Sequence, residues 1–235
     1  VNEAKGFPPW AWIGCGCLGA VAGILFFTVA VGFWAVRKAR DFGKEIADPE
    51  TREERVLAVL GAEKLPGGYH PVIAFSVPYL LEVAVLSDGA PHESGKPPEL
   101  GDHAFFYFSY PTLGQDQQPV RDFFEGRRDD LDQLGPHRID LVLRERIANG
   151  SIAHGRYDVL WVAHRGVLHS GETGDPKEGL LSLFLFDCGD SRNRFALWLG
   201  PDPDPQTPVA ELDRSGTVSD PGAMERFLSP IEPCP

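Results

Sequence analysis

Hydrophobic residues follow three patterns along this chain. The first is an unbroken run: Gly6 to Val36, 31 residues, contains no charge. As a helix rising about 1.5 Å per residue it would measure roughly 45 Å. A bilayer core of about 30 Å requires about 20 residues. The run therefore predicts a single N-terminal transmembrane helix, with Trp10, Trp12 and Trp34 near its ends, where indole rings favour the interface. Small residues recur every fourth position at Ala11, Cys15, Gly19 and Gly23, a face on which another helix could pack closely. The run stops at the basic cluster Arg37, Lys38, Arg40 and Lys44. Lys and Arg collect on the cytoplasmic side of membrane spans. By that rule the protein is a single-pass membrane protein with its following domain in the cytoplasm. Residues 1–47 are read as the span and its juxtamembrane extension, and residues 48–235 as a globular domain.

The second pattern is helical. In "PETREERVLAVLGA" the apolar residues Val56, Leu57 and Leu60 share a face, Asp48-Pro49 supplies a start and Gly61 an end. "PVRDFFEGRRDDLDQLG" keeps the same spacing through Val120, Phe123, Phe124, Leu131 and Leu134. Asp220-Pro221 opens a last short helix.

The third pattern is that of strands. "HPVIAFSVPYLLEVAVLSDGAP" reads as strand, break at Pro78, strand and turn, and "HAFFYFSYP" as another strand. Further strands are expected at 138–148, 152–164, 180–188 and 194–199. Asn149-Gly150 marks the turn between the first two of these. Burial favours a loop that sets Leu143 opposite Tyr157 and Leu141 opposite Val159, with Gly150 in a bulge. "LLSLFLFDC" is apolar on both faces and predicts a central, covered strand. The expected fold class is α+β, an antiparallel sheet with helices packed on it behind the transmembrane helix.

Composition sharpens this picture at three points. Apolar residues make up 43% and charged residues 24%, which is globular rather than disordered. The net charge of −12 divides into +2 over the first 45 residues and −14 over the remaining 190. An acidic domain repels phosphate backbones, so no nucleic-acid partner is expected. Four cysteines are too few for a disulfide scaffold. A Cys188–Cys234 bridge would require an oxidising compartment and would put the domain on the other side of the membrane.

No motif for a reaction stands out. There is no G-x-S-x-G elbow, phosphate loop or dinucleotide fingerprint in a strand context. The seven histidines lack metal-ligand spacing, although His164 and His169 could meet across a turn. Cys188 lies beside Asp187 and Asp190, the wrong sign to activate a thiol. "PDPDP" at 201–205 reads as a rigid loop. The acids of residues 201–220 offer a surface for a complementary partner. No catalytic residue, cofactor or metal site is assigned.

The order of elements resembles the PsbP-like group of small α/β/α sandwich domains. The parts that carry the likeness are strands 71–87 and 103–110, helix 119–134, the strands of 138–199 including "GRYDVLWVAHRG", and the closing "DPGAMERFLSPI". The resemblance implies a non-catalytic accessory or docking domain of a larger, membrane-bound assembly. No motif allows a functional residue to be carried over. The expected function is a membrane-anchored binding module whose partners are the lipid bilayer and another membrane protein or helix. The alternatives are a membrane-tethered enzyme with a dispersed His/Asp site and a small-ligand sensor.

Overall fold

The computed structural model describes residues 48–90, 100–112, 114, 117–129, 141–169 and 176–234. The expected span over 6–36, its small-residue face at Ala11, Cys15, Gly19 and Gly23, and the basic residues Arg37, Lys38, Arg40 and Lys44 lie outside them.

Seven strands form one sheet: β1 (His70–Val77), β2 (Leu81–Ser87), β3 (Ala104–Pro111), β4 (Leu141–His154), β5 (Tyr157–Leu168), β6 (Lys177–Phe186) and β7 (Arg192–Gly200). Their spatial order is β1-β2-β3-β7-β6-β5-β4 and every neighbouring pair is antiparallel. The chain thus makes two meanders, of three and four strands, joined where β3 meets β7. β6 lies near the centre, and its residues from Gly179 to Phe186 are all buried.

One face of the sheet packs Ala84, Phe105, Trp161 and Trp198 against helix α1 (Pro49–Leu60) and helix α3 (Pro221–Leu228). Both helices start at an Asp-Pro pair. The Asp48 carboxylate accepts from the Thr51 N–H at 3.1 Å, and Asp220 from the Gly222 N–H at 3.1 Å. Gly61 ends α1 with φ 61°, and the Glu232 backbone lies where its side chain would be. The irregular segment 201–219 completes this layer. The Ser182 hydroxyl donates to the Val218 carbonyl at 2.7 Å, and Leu212 and Val218 are buried. The other face packs Val162, Leu183 and Leu197 under Phe123 and Phe124 of helix α2 (Gln118–Phe124).

Two expectations are corrected. The α+β class does not hold. The described residues are dominated by the seven-stranded antiparallel sheet, with three helices of 12, 7 and 8 residues. None of these is long and apolar enough to cross a membrane. The helix expected over 119–134 ends early because the chain turns at Gly126, φ 79°, and the cover over 201–219 is irregular rather than helical.

The second correction is the hairpin. β4 runs straight through Asn149-Gly150 to His154, which pairs with Tyr157. The turn is Gly155-Arg156, with Gly155 at φ 58°, the conformation a type II′ turn requires at its first central position. Leu143 pairs with Gly166 and Leu141 with Leu168. Gly150 is small for another reason. It lies opposite Trp161, whose indole would stand 3.1 Å from any added Cβ.

Candidate interaction surface

The tip of the β1–β2 hairpin is built from Val77, Pro78, Tyr79 and Leu80. The Leu80 N–H donates to the Val77 carbonyl at 3.0 Å and closes the turn. Pro78 occupies the first central position, where its fixed φ fits. Tyr79 occupies the second with φ 63°, and is the one non-glycine residue at positive φ among the described residues. That left-handed conformation costs an ordinary L-residue about 1–2 kcal/mol. The side chains are not withdrawn to compensate: Tyr79 is 92% exposed, Leu80 60% and Val77 42%. No charged residue occurs between Pro71 and Leu81.

The tip continues an unusual sheet edge. Among the described residues β1 is the end strand of the sheet, next to β2, and Arg52 of α1 donates to its Pro71 carbonyl at 3.3 Å. The opposite edge, β4, is defended. It is bulged on both sides of Arg146 and carries Arg144, Glu145 and Arg146. Arg144 pairs with Glu178 at 2.9 Å, and Arg146 donates to the Gly126 carbonyl at 3.1 Å and the Arg128 carbonyl at 2.5 Å. Charges and bulges of this kind prevent stray strand pairing. β1 has one bulge, between Pro71 and Ile73, and no charge beyond it.

A polar network braces the hairpin end of the sheet. Arg192 on β7 donates to the Ser109 hydroxyl at 2.9 Å and reaches Glu82, the first charge after the tip, at 3.2 Å. Arg194 holds Asp190 through two bonds of 2.7 and 2.9 Å. The Asp190 carboxyl is held below its usual range chiefly by that hydrogen bond. Burial pushes the Tyr107 phenol well above its ordinary value. The cleft beside this network, between α2 and the β6–β7 turn, is lined by Gln117, Val120, Arg121, Asp187 and Asn193 and encloses about 20 Å³. That is room for one water and far below the several hundred Å³ of a typical ligand pocket.

The expected chemical residues do not converge. His154 Nε2 lies 2.8 Å from the Ile231 carbonyl. His164 and His169 cannot meet across a turn, because β5 continues through His164 to Leu168. His164 is 3% exposed and stacks on Phe123, rings 5.9 Å apart and nearly parallel. Neither of its nitrogens completes a hydrogen bond. Burial first, and Arg146 opposite it second, pull its pKa down to about 4. Among the described residues, no group of three or more His, Cys, Asp and Glu could hold a metal. Asp202, expected on an acidic partner surface, is instead held by Arg165 at 2.6 Å, which also binds the Asp204 and Thr207 carbonyls. Cys188 and Cys234 form a disulfide, Cα atoms 5.3 Å apart, tying the C-terminal tail to the end of β6.

The hydrophobic pattern does not mark the tip, where Pro78 reads as a plain break. The available signal was "VPYLL", five uncharged residues at a hairpin turn where Gly, Asn or Asp is usual. No family model, no curated protein and no solved structure matches this chain.

Proposed function

We propose that this chain is a membrane-tethered, non-catalytic binding module, a docking element of a larger membrane assembly, with its sheet domain in an oxidising compartment. The observation that carries this reading is the hairpin tip: an aromatic and two aliphatic side chains held in solvent, one of them in a costly backbone conformation. Strain of this kind concentrates where a surface is used, and exposed apolar clusters mark contact sites. The uncharged stretch 6–36 supports a tether to the bilayer, and its small residues support contact with a neighbouring membrane helix.

The Cys188–Cys234 bond supports the oxidising compartment, since cytosolic thiols are kept reduced. It speaks for the side opposite to the one favoured by Arg37, Lys38, Arg40 and Lys44. A covalent bond constrains the compartment more tightly than a bias of four cations does.

The test is a double substitution, Tyr79→Asn with Leu80→Ser, in the full chain extracted from its native membranes in mild detergent. Asn tolerates positive φ, so the turn should persist and the thermal midpoint should stay or rise slightly. Co-migration with partner subunits on native gels should fall at least tenfold. Unchanged co-migration would overturn the reading.

A further inference from the structure

We infer that the β1–β2 hairpin tip enters the headgroup–acyl boundary of the bilayer, a second contact between this chain and lipid beside the tether. The inference rests on the membrane-tethered half of the reading above and names lipid as what the tip meets.

The first argument is the chemistry of the tip. Val77 and Leu80 present aliphatic side chains to solvent, and Tyr79 presents an aromatic ring that ends in a hydroxyl. Tyrosine is enriched at membrane interfaces because its ring favours the acyl side and its hydroxyl the headgroups. Entry into lipid also requires that backbone polar groups be satisfied. Pro78 has no N–H, and the Leu80 N–H already donates to the Val77 carbonyl at 3.0 Å. Residues 71–81 contain no charge to desolvate.

The second argument is charge. Residues 46–235 are at −14, and a body of that charge is repelled by anionic lipid. The part of the sheet that carries the tip is not. Apart from His70, the charged residues of β1, β2, β3 and β7 are Glu82, Arg192 and Arg194. Arg192 pairs with Glu82 at 3.2 Å, and Arg194 pairs with Asp190 of the β6–β7 turn at 2.7 Å. These four charges cancel. The acidic excess lies on other elements, and the tip can approach lipid without it.

The third argument is reach. Residues 37–47 join the uncharged run to α1, and a chain of that length, fully extended, spans at most about 40 Å. Arg52, in the first turn of α1, donates to the Pro71 carbonyl, so α1 starts near the root of β1. From Pro71 to Val77 the strand rises about 20 Å. The tip is thus within range of the bilayer that would hold the tether. A tethered tip meets lipid at a local concentration that no free domain has, and in that setting three side chains suffice.

The full chain, reconstituted into vesicles of phosphatidylcholine that carries a photoreactive acyl chain, provides the test. Lipid adducts located by mass spectrometry are expected on residues 77–80 as well as on 6–36. Leu80 is exposed, so Leu80→Glu should leave the thermal midpoint intact while reducing the tip adducts at least about tenfold and sparing those on 6–36. Because the domain is acidic, replacing part of the phosphatidylcholine with phosphatidylglycerol should reduce the tip adducts, and added salt should restore them. Adducts confined to 6–36, adducts on neither segment, or a Leu80→Glu tip labelled as well as the parent's overturn the inference. If tip adducts are missing while Tyr79→Asn with Leu80→Ser releases partner subunits on native gels, a protein rather than lipid covers the tip and only this inference fails. If tip adducts form and co-migration is unchanged, the lipid contact stands and the docking reading fails. If the tip has neither adducts nor a partner, both fail.

Discussion

His164 shows how one buried side chain couples the domain to pH. The groups around it are Arg144 and Arg146 on β4 and Asp129 beyond α2. Asp129 and the Arg144 backbone favour the protonated ring, but burial and the Arg146 charge outweigh them and bring the pKa from 6.5 to about 4. The unfolded chain thus takes up a proton below about pH 6.5, while the folded chain refuses it until about pH 4. Stability contributed by the neutral ring is complete above this window and falls as pH drops through it, by up to about 3 kcal/mol. His164→Leu should flatten that acid limb. It should also stabilise the domain at pH 7 by about 1 kcal/mol, since two buried ring nitrogens that lack well-formed hydrogen bonds disappear. Thermal melts of both proteins between pH 7.5 and pH 4.5 decide the matter, and parallel limbs would show that His164 is not the titrating group.

At the scale of elements, β4 and β5 form the hairpin that the sequence signals least faithfully. Asn149-Gly150 is a common turn dipeptide, yet the strand passes through it. The glycine serves the Trp161 ring across the ladder, and Gly155 makes the turn. Gly150→Val should cost about 2 kcal/mol through overpacking against that ring, seen as a lower urea midpoint with an unchanged slope. Equal stability of the two proteins would mean the indole yields without strain. Period-two apolar patterns made the strand segments legible, and "LLSLFLFDC" declared its own central place. A local turn signal cannot announce a large side chain waiting on the neighbouring strand, so the register of β4 was not legible. Nor was the length of α2. Phe123 and Phe124 fit a helix that the conformation of Gly126 then ends. The tip failed for a third reason: sequence patterns report what becomes buried, and the tip is defined by what does not.

For the whole molecule, the Cys188–Cys234 bond closes a loop across β7, the 201–219 segment and α3, with a sequence separation of 46. A loop of that size contributes about 4 kcal/mol when it restricts the unfolded chain. Cys234→Ser should therefore lower the thermal midpoint markedly, and reductant should lower the parent to the same point while leaving the variant unmoved. A reductant-insensitive parent would show the thiols unlinked, and with them would go the support for an oxidising compartment. The seam between the two meanders has a consequence for biogenesis. β3 cannot acquire its partner β7 until the about 80 residues that separate them have been made, which at ribosomal speeds of about 5–20 residues per second takes about 4–16 s. Throughout that interval "AFFYFSYP", later the middle of the sheet, is a nascent aromatic strand with one side open. Until that last-made neighbour arrives, the emerging chain carries an aromatic strand edge open to stray pairing.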